Sequence, residues 1–190
     1  DDLHVGHVLV LGLECLELGG DLRQEIEPPV LGEQAEQRPP LRVEIGGKLF
    51  TEYYFKDVPR PFCYPLIGPG EAPLTRNYPM KNVPGEDQDH PHQRSLWFTH
   101  GSVNGVDFWS ESPKAGRIVQ GKFLQIKSGE KGVIKSRNQW IDVNRVLVCE
   151  DERTLRIFCE TNATRVLDFE ITMRALKDKD LVMGDTKEGS

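Results

Sequence analysis

This chain of 190 residues lacks a long apolar run: the longest, Val8 to Leu13, is followed at once by Glu14. A bilayer-spanning helix needs about 20 apolar residues, so no helical span is expected. Positive charge is not in excess either. Lys and Arg number 24 against 30 Asp and Glu, for a formal net charge of -6. That argues against a nucleic-acid partner, which needs a basic stripe. The first residues are Asp1 and Asp2, not a basic start and an apolar run, so no signal peptide is visible and the compartment stays open. An initiator Met is missing too, which points to a true start upstream. Cysteine is sparse. Cys15, Cys63, Cys149 and Cys159 include no pair with the two-residue spacing of a zinc knuckle or redox motif. Free, buried thiols are the expectation, with Cys149 and Cys159 facing each other only if paired strands carry them.

The absences are uneven along the chain. Residues 1–40 contain no Phe, Trp, Tyr, Lys, Ser, Thr, Asn or Met, and nine acids stand there against two bases. The segment ends in "EQAEQRPP", which reads as a linker. "HVLVLGLECLEL" suits one strand or a short helix. We therefore expect residues 1–40 to be an atypical segment outside the domain, and residues 41–190 to be the domain itself.

From Leu41 onward the hydrophobic period is two. "LRVEI", Gly46-Gly47 and "KLFTEYYF" read as a hairpin with a primed turn. In "RVLDFEITMR", Leu167, Phe169, Ile171 and Met173 alternate with Asp168, Glu170, Thr172 and Arg174, so the four apolar residues should face one core. "RIVQGKFLQIKS", "GVIKSRNQWIDV" and "TLRIFCE" behave alike. Turn signals fall at Gly129 to Gly132, at Asn104-Gly105 and at Asn162, and no long amphipathic helix is visible. Short antiparallel strands of this kind predict an all-β sandwich or barrel. The exception is Gly68 to Gln93, a Pro- and Gly-rich connection too long to be ordinary, and such ordered loops are usually functional.

That loop leads into "DHPHQRSLWFTHGSVNGVDFW", Asp89 to Trp109, which holds three of the five histidines and two of the three tryptophans. Pro91 should press His90 into an extended conformation. On extended backbone His90, His92 and Arg94 share a face, with Asp89 beside them. "SLWFTH" as a strand puts Leu96, Phe98 and His100 on one side. The Asn104-Gly105 turn then returns Asp107 and Trp109 toward Trp97 and His100. A histidine with a carboxylate partner is a general acid–base pair. Arg94 suits a carboxylate or phosphate, the tryptophans suit the flat face of a sugar ring, and two histidines with an acid suit a divalent metal. A cupin-type site is excluded, because Leu96 and Trp97 stand where its Glu would follow the His pair. Plainer roles compete: a single histidine is more often structural, and Trp97 goes first to the core. Three histidines, two aspartates and an arginine so close together favour a site.

"LTRNYPMKNVPGEDQDHPHQRSLWFTHGSVNGVDFW", "LDFEITM" and the closing "GDTKEGS" resemble a bacterial family labelled methane oxygenase PmoA, a domain of unknown function, over Leu41 to Ser190. The resemblance implies an antiparallel β-sandwich similar to galactose mutarotase-like domains, which bind carbohydrates. The matching positions are Asn77, Asp89, His90, His92, Arg94, Trp97, His100, Asn104, Asp107, Trp109, Asp185, Lys187 and Glu188. In the family the last motif lies inside the domain. The chain therefore reads as a fragment, incomplete at its C-terminus.

The resulting expectation is a carbohydrate-active β-sandwich protein with His/Asp acid–base chemistry, and a small-molecule or carbohydrate ligand. His90, His92 and His100 would move protons, with Asp89 setting a tautomer. Arg94, Asn77, Asp107, Trp109, Lys187 and Glu188 would hold the ligand. The alternatives are a non-catalytic carbohydrate-binding module and a metal-dependent oxygenase. No cofactor is specified by the sequence.

Overall fold

From Pro40 onward the described residues form antiparallel β-strands joined by turns and long irregular loops in the computed structural model, which describes residues 3–12, 40–159 and 164–187. The first sheet begins with β2 (Leu41–Ile45) and β3 (Lys48–Tyr54), the expected hairpin. Its turn residues Gly46 and Gly47 have φ of 59° and 73°, the left-handed pair that a primed turn requires and that matches strand twist. Two short strands complete this sheet, β4 (Phe62–Cys63) and β5 (Leu96–Trp97), in the order β2-β3-β4-β5. The second sheet holds β1 (Leu3–Gly12), β6 (Arg117–Lys127), β7 (Lys131–Ile141), β8 (Leu147–Cys159) and β9 (Thr164–Arg174). Its order is β1-β9-β8-β7-β6, with every neighbour antiparallel. The backbone of β1 pairs along β9, and the rest of the compositionally distinct segment, residues 13–39, lies outside the described residues. Among the described residues the one helical turn is the 3-10 turn Pro69–Glu71.

The two sheets pack face to face. One cluster joins Val43, Ile45, Phe50 and Tyr53 of the first sheet to Ile134, Leu155, Ile157 and Leu167 of the second. Another gathers Val103, Phe108, Ile118, Trp140, Cys149, Ile171 and Met173. Leu167, Phe169, Ile171 and Met173 all face inward as their period predicts, but they divide between the clusters, with Phe169 packed against both.

What divides them is polar. On β7, Ser136 and Asn138 lie between Ile134 and Trp140. On β8, Asp151 and Arg153 lie between Cys149 and Leu155. Asn138 pairs with Asp151 and Ser136 with Arg153, so the four stand side by side across the inner face. Asp151 is 0% exposed and Arg153 2%. The Asp151 carboxylate accepts from Asn138 Nδ2 at 2.6 Å, Trp140 Nε1 at 2.6 Å, and Arg153 Nε and Nη2 at 3.0 and 2.9 Å. Tyr53 reaches across from the first sheet, its hydroxyl 3.3 Å from Ser136 Oγ. Burial pushes the Tyr53 pKa up, so the hydroxyl stays neutral and keeps its proton. The outer face of the second sheet carries ordinary ion pairs instead, with Lys135 and Arg137 on Glu152 and Arg156 between Asp168 and Glu170.

Cys149 and Cys159 stand on the same strand, β8, near its two ends, so they do not face each other on paired strands. Burial raises the thiols of Cys63 and Cys149 to about 12, which keeps both protonated and unreactive.

Asp151→Leu strands the Arg153 charge in the interior, and Arg153→Met strands that of Asp151. Each is expected to lower the free energy of unfolding by about 3–5 kcal/mol. The double variant should lose less than the two singles together, because neither charge is then left alone. Denaturant unfolding of the four proteins measures this, and strict additivity would contradict the coupling.

Candidate functional site

The long loop from Gly68 to Gln93 is held by carboxylates. Glu86 accepts from the backbone N–H groups of Asn77 and Tyr78, at 2.9 and 3.1 Å, and from Asn77 Nδ2 at 2.7 Å. Tyr64 donates to Asn77 Oδ1 at 2.8 Å, which ties the loop to the first sheet. Next along the chain, Arg76 spreads its guanidinium over Asp89 and His90. It bonds Asp89 Oδ1 at 2.5 Å, Asp89 O at 2.7 Å and His90 O at 3.0 Å. The other carboxylate oxygen of Asp89 lies 2.7 Å from His90 Nδ1. The bonds from Arg76 and His90 lower the Asp89 pKa, so it is ionised at neutral pH.

The local backbone departs from expectation. His90 has φ of 45° instead of the extended value that Pro91 favours. Gln93 N bonds His90 O at 3.0 Å, closing a turn over Pro91 and His92. Arg76 and this turn override the local preference. It is the turn, not an extended run, that brings the His90 and His92 rings to 5.8 Å.

Beyond His92 the group becomes aromatic. Its ring lies 6.4 Å from Trp97 and 5.9 Å from Trp109, and the two tryptophans are 5.0 Å apart. Arg60, 1% exposed, stacks 4.9 Å from the Trp97 ring centroid. It donates to His92 O at 3.3 Å and Ser110 O at 2.9 Å, clamping the two loops that carry the histidines and Trp109. Burial lowers its pKa to about 10, which still leaves it charged at neutral pH. Asp107 caps the second loop by accepting from Trp109 N at 2.7 Å, from Ser110 N at 3.1 Å and from the Ser110 hydroxyl. Burial works to raise the Asp107 pKa, but these bonds hold it below the usual carboxylate range.

The residues singled out by sequence fall into separate places. Asp89, His90, His92 and Trp109 form one contiguous group with Trp97. Arg94 borders it, but Glu111 engages its guanidinium bidentately at 2.9 and 2.8 Å, so it is no open clamp for an anion. Asn77 and Asp107 secure loops. His100 lies apart: its Nε2 is 2.9 Å from Gly184 O, where residues 182–184 run beside Ser102 and Asn104. Asp185 and Lys187 are exposed near that end, and Glu188 lies outside the described residues. "SLWFTH" is a strand only at Leu96–Trp97. It follows Ser95 at φ of 53°, and Thr99 turns its hydroxyl to Phe108 O at 2.9 Å. Arg60, Arg76, Glu86 and Glu111 went unnoticed in the sequence, where nothing in an isolated Arg or Glu marks a loop clamp. Among the described residues no group of three or more His, Cys, Asp or Glu is placed to hold a metal ion, and no helix is long and apolar enough to cross a membrane.

Residues 40–190 match the model of a family of unknown function, DUF6807, and the chain belongs to that family. This corrects the resemblance to a methane oxygenase PmoA family, because the family that matches is one of unknown function and nothing links it to that label. No curated protein and no solved structure matches the chain.

Two outcomes are expected. Glu86, Asp89 and Asp107 all have lowered folded pKa values. Their stabilisation is therefore complete above the ordinary carboxylate pKa of about 4 and fades as pH falls through the folded values. Hydrogen-exchange protection at Asn77, Tyr78, Trp109 and Ser110 should drop over that range while β7 and β8 stay protected. Arg60→Met removes both carbonyl bonds, so amides at 90–94 and 108–112 should exchange at least tenfold faster at neutral pH. Unchanged exchange in both loops would refute the clamp.

Proposed function

We propose that this domain is carbohydrate-active, with the ligand held over Trp109 and Trp97 and a proton moved by the Asp89–His90 pair. The carrying observation is the adjacency of that pair to the aromatic group, through His92. A carboxylate 2.7 Å from His90 Nδ1 favours the tautomer with its proton on Nδ1. Nε2 is then free to take a proton and return it. Arg76 fixes the carboxylate, so the pair is ordered before any ligand arrives. Among the histidines this geometry favours His90, whose side chain is 48% exposed, over His92, whose Nε2 is buried. Indole faces suit the C–H face of a pyranose, while the flanking carboxylates and carbonyls suit its hydroxyls.

The runner-up reading, a non-catalytic carbohydrate-binding module, is favoured by one feature. The Asp89 and His90 side chains are 57% and 48% exposed, so water reaches the pair, and sites of proton transfer gain most when water is excluded.

Turnover separates the two. On a panel of aldoses and oligosaccharides, an enzyme is expected to form product, and His90→Ala should lower kcat by about 10²–10⁴ with the fold unchanged by circular dichroism. A binding module yields a dissociation constant without product, and Trp109→Ala then weakens binding more than His90→Ala. No turnover and no binding across the panel would sink the carbohydrate reading.

A further inference from the structure

Beside the aromatic group lies an open cleft of about 740 Å³, within the range of ligand sites. The loop Ser110–Gly116 forms one wall and the turn after β7, Asp142 to Arg145, forms the other, with the start of β6 between them. Loop 107–112 thus reaches both the aromatic group and the cleft. Trp109 meets Trp97 and His92, while Ser110 and Glu111 line the cleft.

The lining is mixed in sign: Asp57, Glu111 and Asp142 against Arg117 and Arg145. Several are already engaged. Glu111 holds Arg94, Asp142 accepts from Asn144 N and Val146 N at 2.8 Å each, and Arg117 donates to Val58 O at 3.1 Å. Among the described residues no side-chain hydrogen bond or ion pair engages Asp57 or Arg145. One free carboxylate and one free guanidinium therefore remain, with Val119 and Val143, 40% and 55% exposed, as apolar surface. A ligand anion would meet three carboxylates there, and a ligand cation two guanidinium groups. A hydroxyl both donates and accepts, so it satisfies either sign, and the C–H faces of a sugar ring suit the valines.

We infer that the cleft binds a neutral polyhydroxylated chain, the continuation of an oligosaccharide whose end lies over Trp109 and beside His90. This rests on the carbohydrate reading above. It adds where the chain runs and that it is uncharged.

The test is amide chemical-shift mapping on the labelled full chain. The probes are the neutral tetrasaccharides of glucose, mannose, galactose and xylose, their monosaccharides, and tetragalacturonate as the anionic counterpart. At least one neutral tetrasaccharide should shift Ser112 and Val143 in the cleft together with Trp109, and bind more tightly than tetragalacturonate. Asp57 and Arg145 sit at φ of 57° and 65°, which glycine adopts without strain. Asp57→Gly and Arg145→Gly should therefore fold and weaken the tetrasaccharide about tenfold, leaving the monosaccharide shift at Trp109 unchanged. Shifts at Trp97 and Trp109 alone would overturn the cleft assignment and leave the carbohydrate reading standing. Shifts in the cleft alone would overturn the aromatic platform, and with it the continuation argued here. Tighter binding of tetragalacturonate would overturn neutrality, and no shift with any neutral sugar would overturn both proposals.

Discussion

The buried ion pair of Asp151 and Arg153 is the constraint around which the sandwich is arranged. A carboxylate with no exposure survives in the interior only if its oxygens are filled, and here Arg153, Asn138 and Trp140 fill them. Meeting that demand fixes the register of β7 on β8, since Asn138 must stand opposite Asp151. It also fixes the facing sheet: Phe98 lies under the Arg153 guanidinium, 5.7 Å from ring centroid to Cζ, and packs edge-on against Trp140. Phe98 directly follows β5, the strand that carries Trp97. The polar stripe thereby reaches the base of the candidate site.

A second buried guanidinium carries the arrangement outward. Among the described residues Arg60 joins no carboxylate directly; it donates to two loop carbonyls and lays its face on Trp97. Further out, Arg76 and Arg94 do similar work at half-buried positions, each with a carboxylate partner. The site is thus held from below by packed, desolvated cations and from the sides by carboxylates that cap loop amides. This explains how long loops with little regular structure can present Asp89, His90 and Trp109 in fixed relation. Membership of a family of unknown function leaves the chemistry to be argued from this geometry.

Much of the architecture was legible because it rests on local rules. Gly46-Gly47 had to turn left-handed, and Leu167 to Met173 had to present alternate faces. The start of β8 was missed for the same reason that it matters. Asp151 and Arg153 point inward where the period-two pattern demands apolar residues, so "CEDER" reads as surface. The gathering of chemically able residues in Asp89 to Trp109 was visible as composition, but their grouping was not. His100 leaves for the segment at Gly184, while Arg60 and Arg76 arrive from earlier in the chain with nothing to mark them as clamps.

By itself the sequence determined what depends on neighbours along the chain. That covers the β-rich class, the hairpins, the alternation of the core strands, and the absence of any apolar run long enough for a membrane helix. The tertiary structure alone decided which charges could be buried, which histidine packs against the tryptophans and which stands open at the edge of that group. It also decided that His90 turns where Pro91 favours extension. Those outcomes depend on partners that the fold brings together, whose hydrogen bonds and desolvation outweigh any local preference.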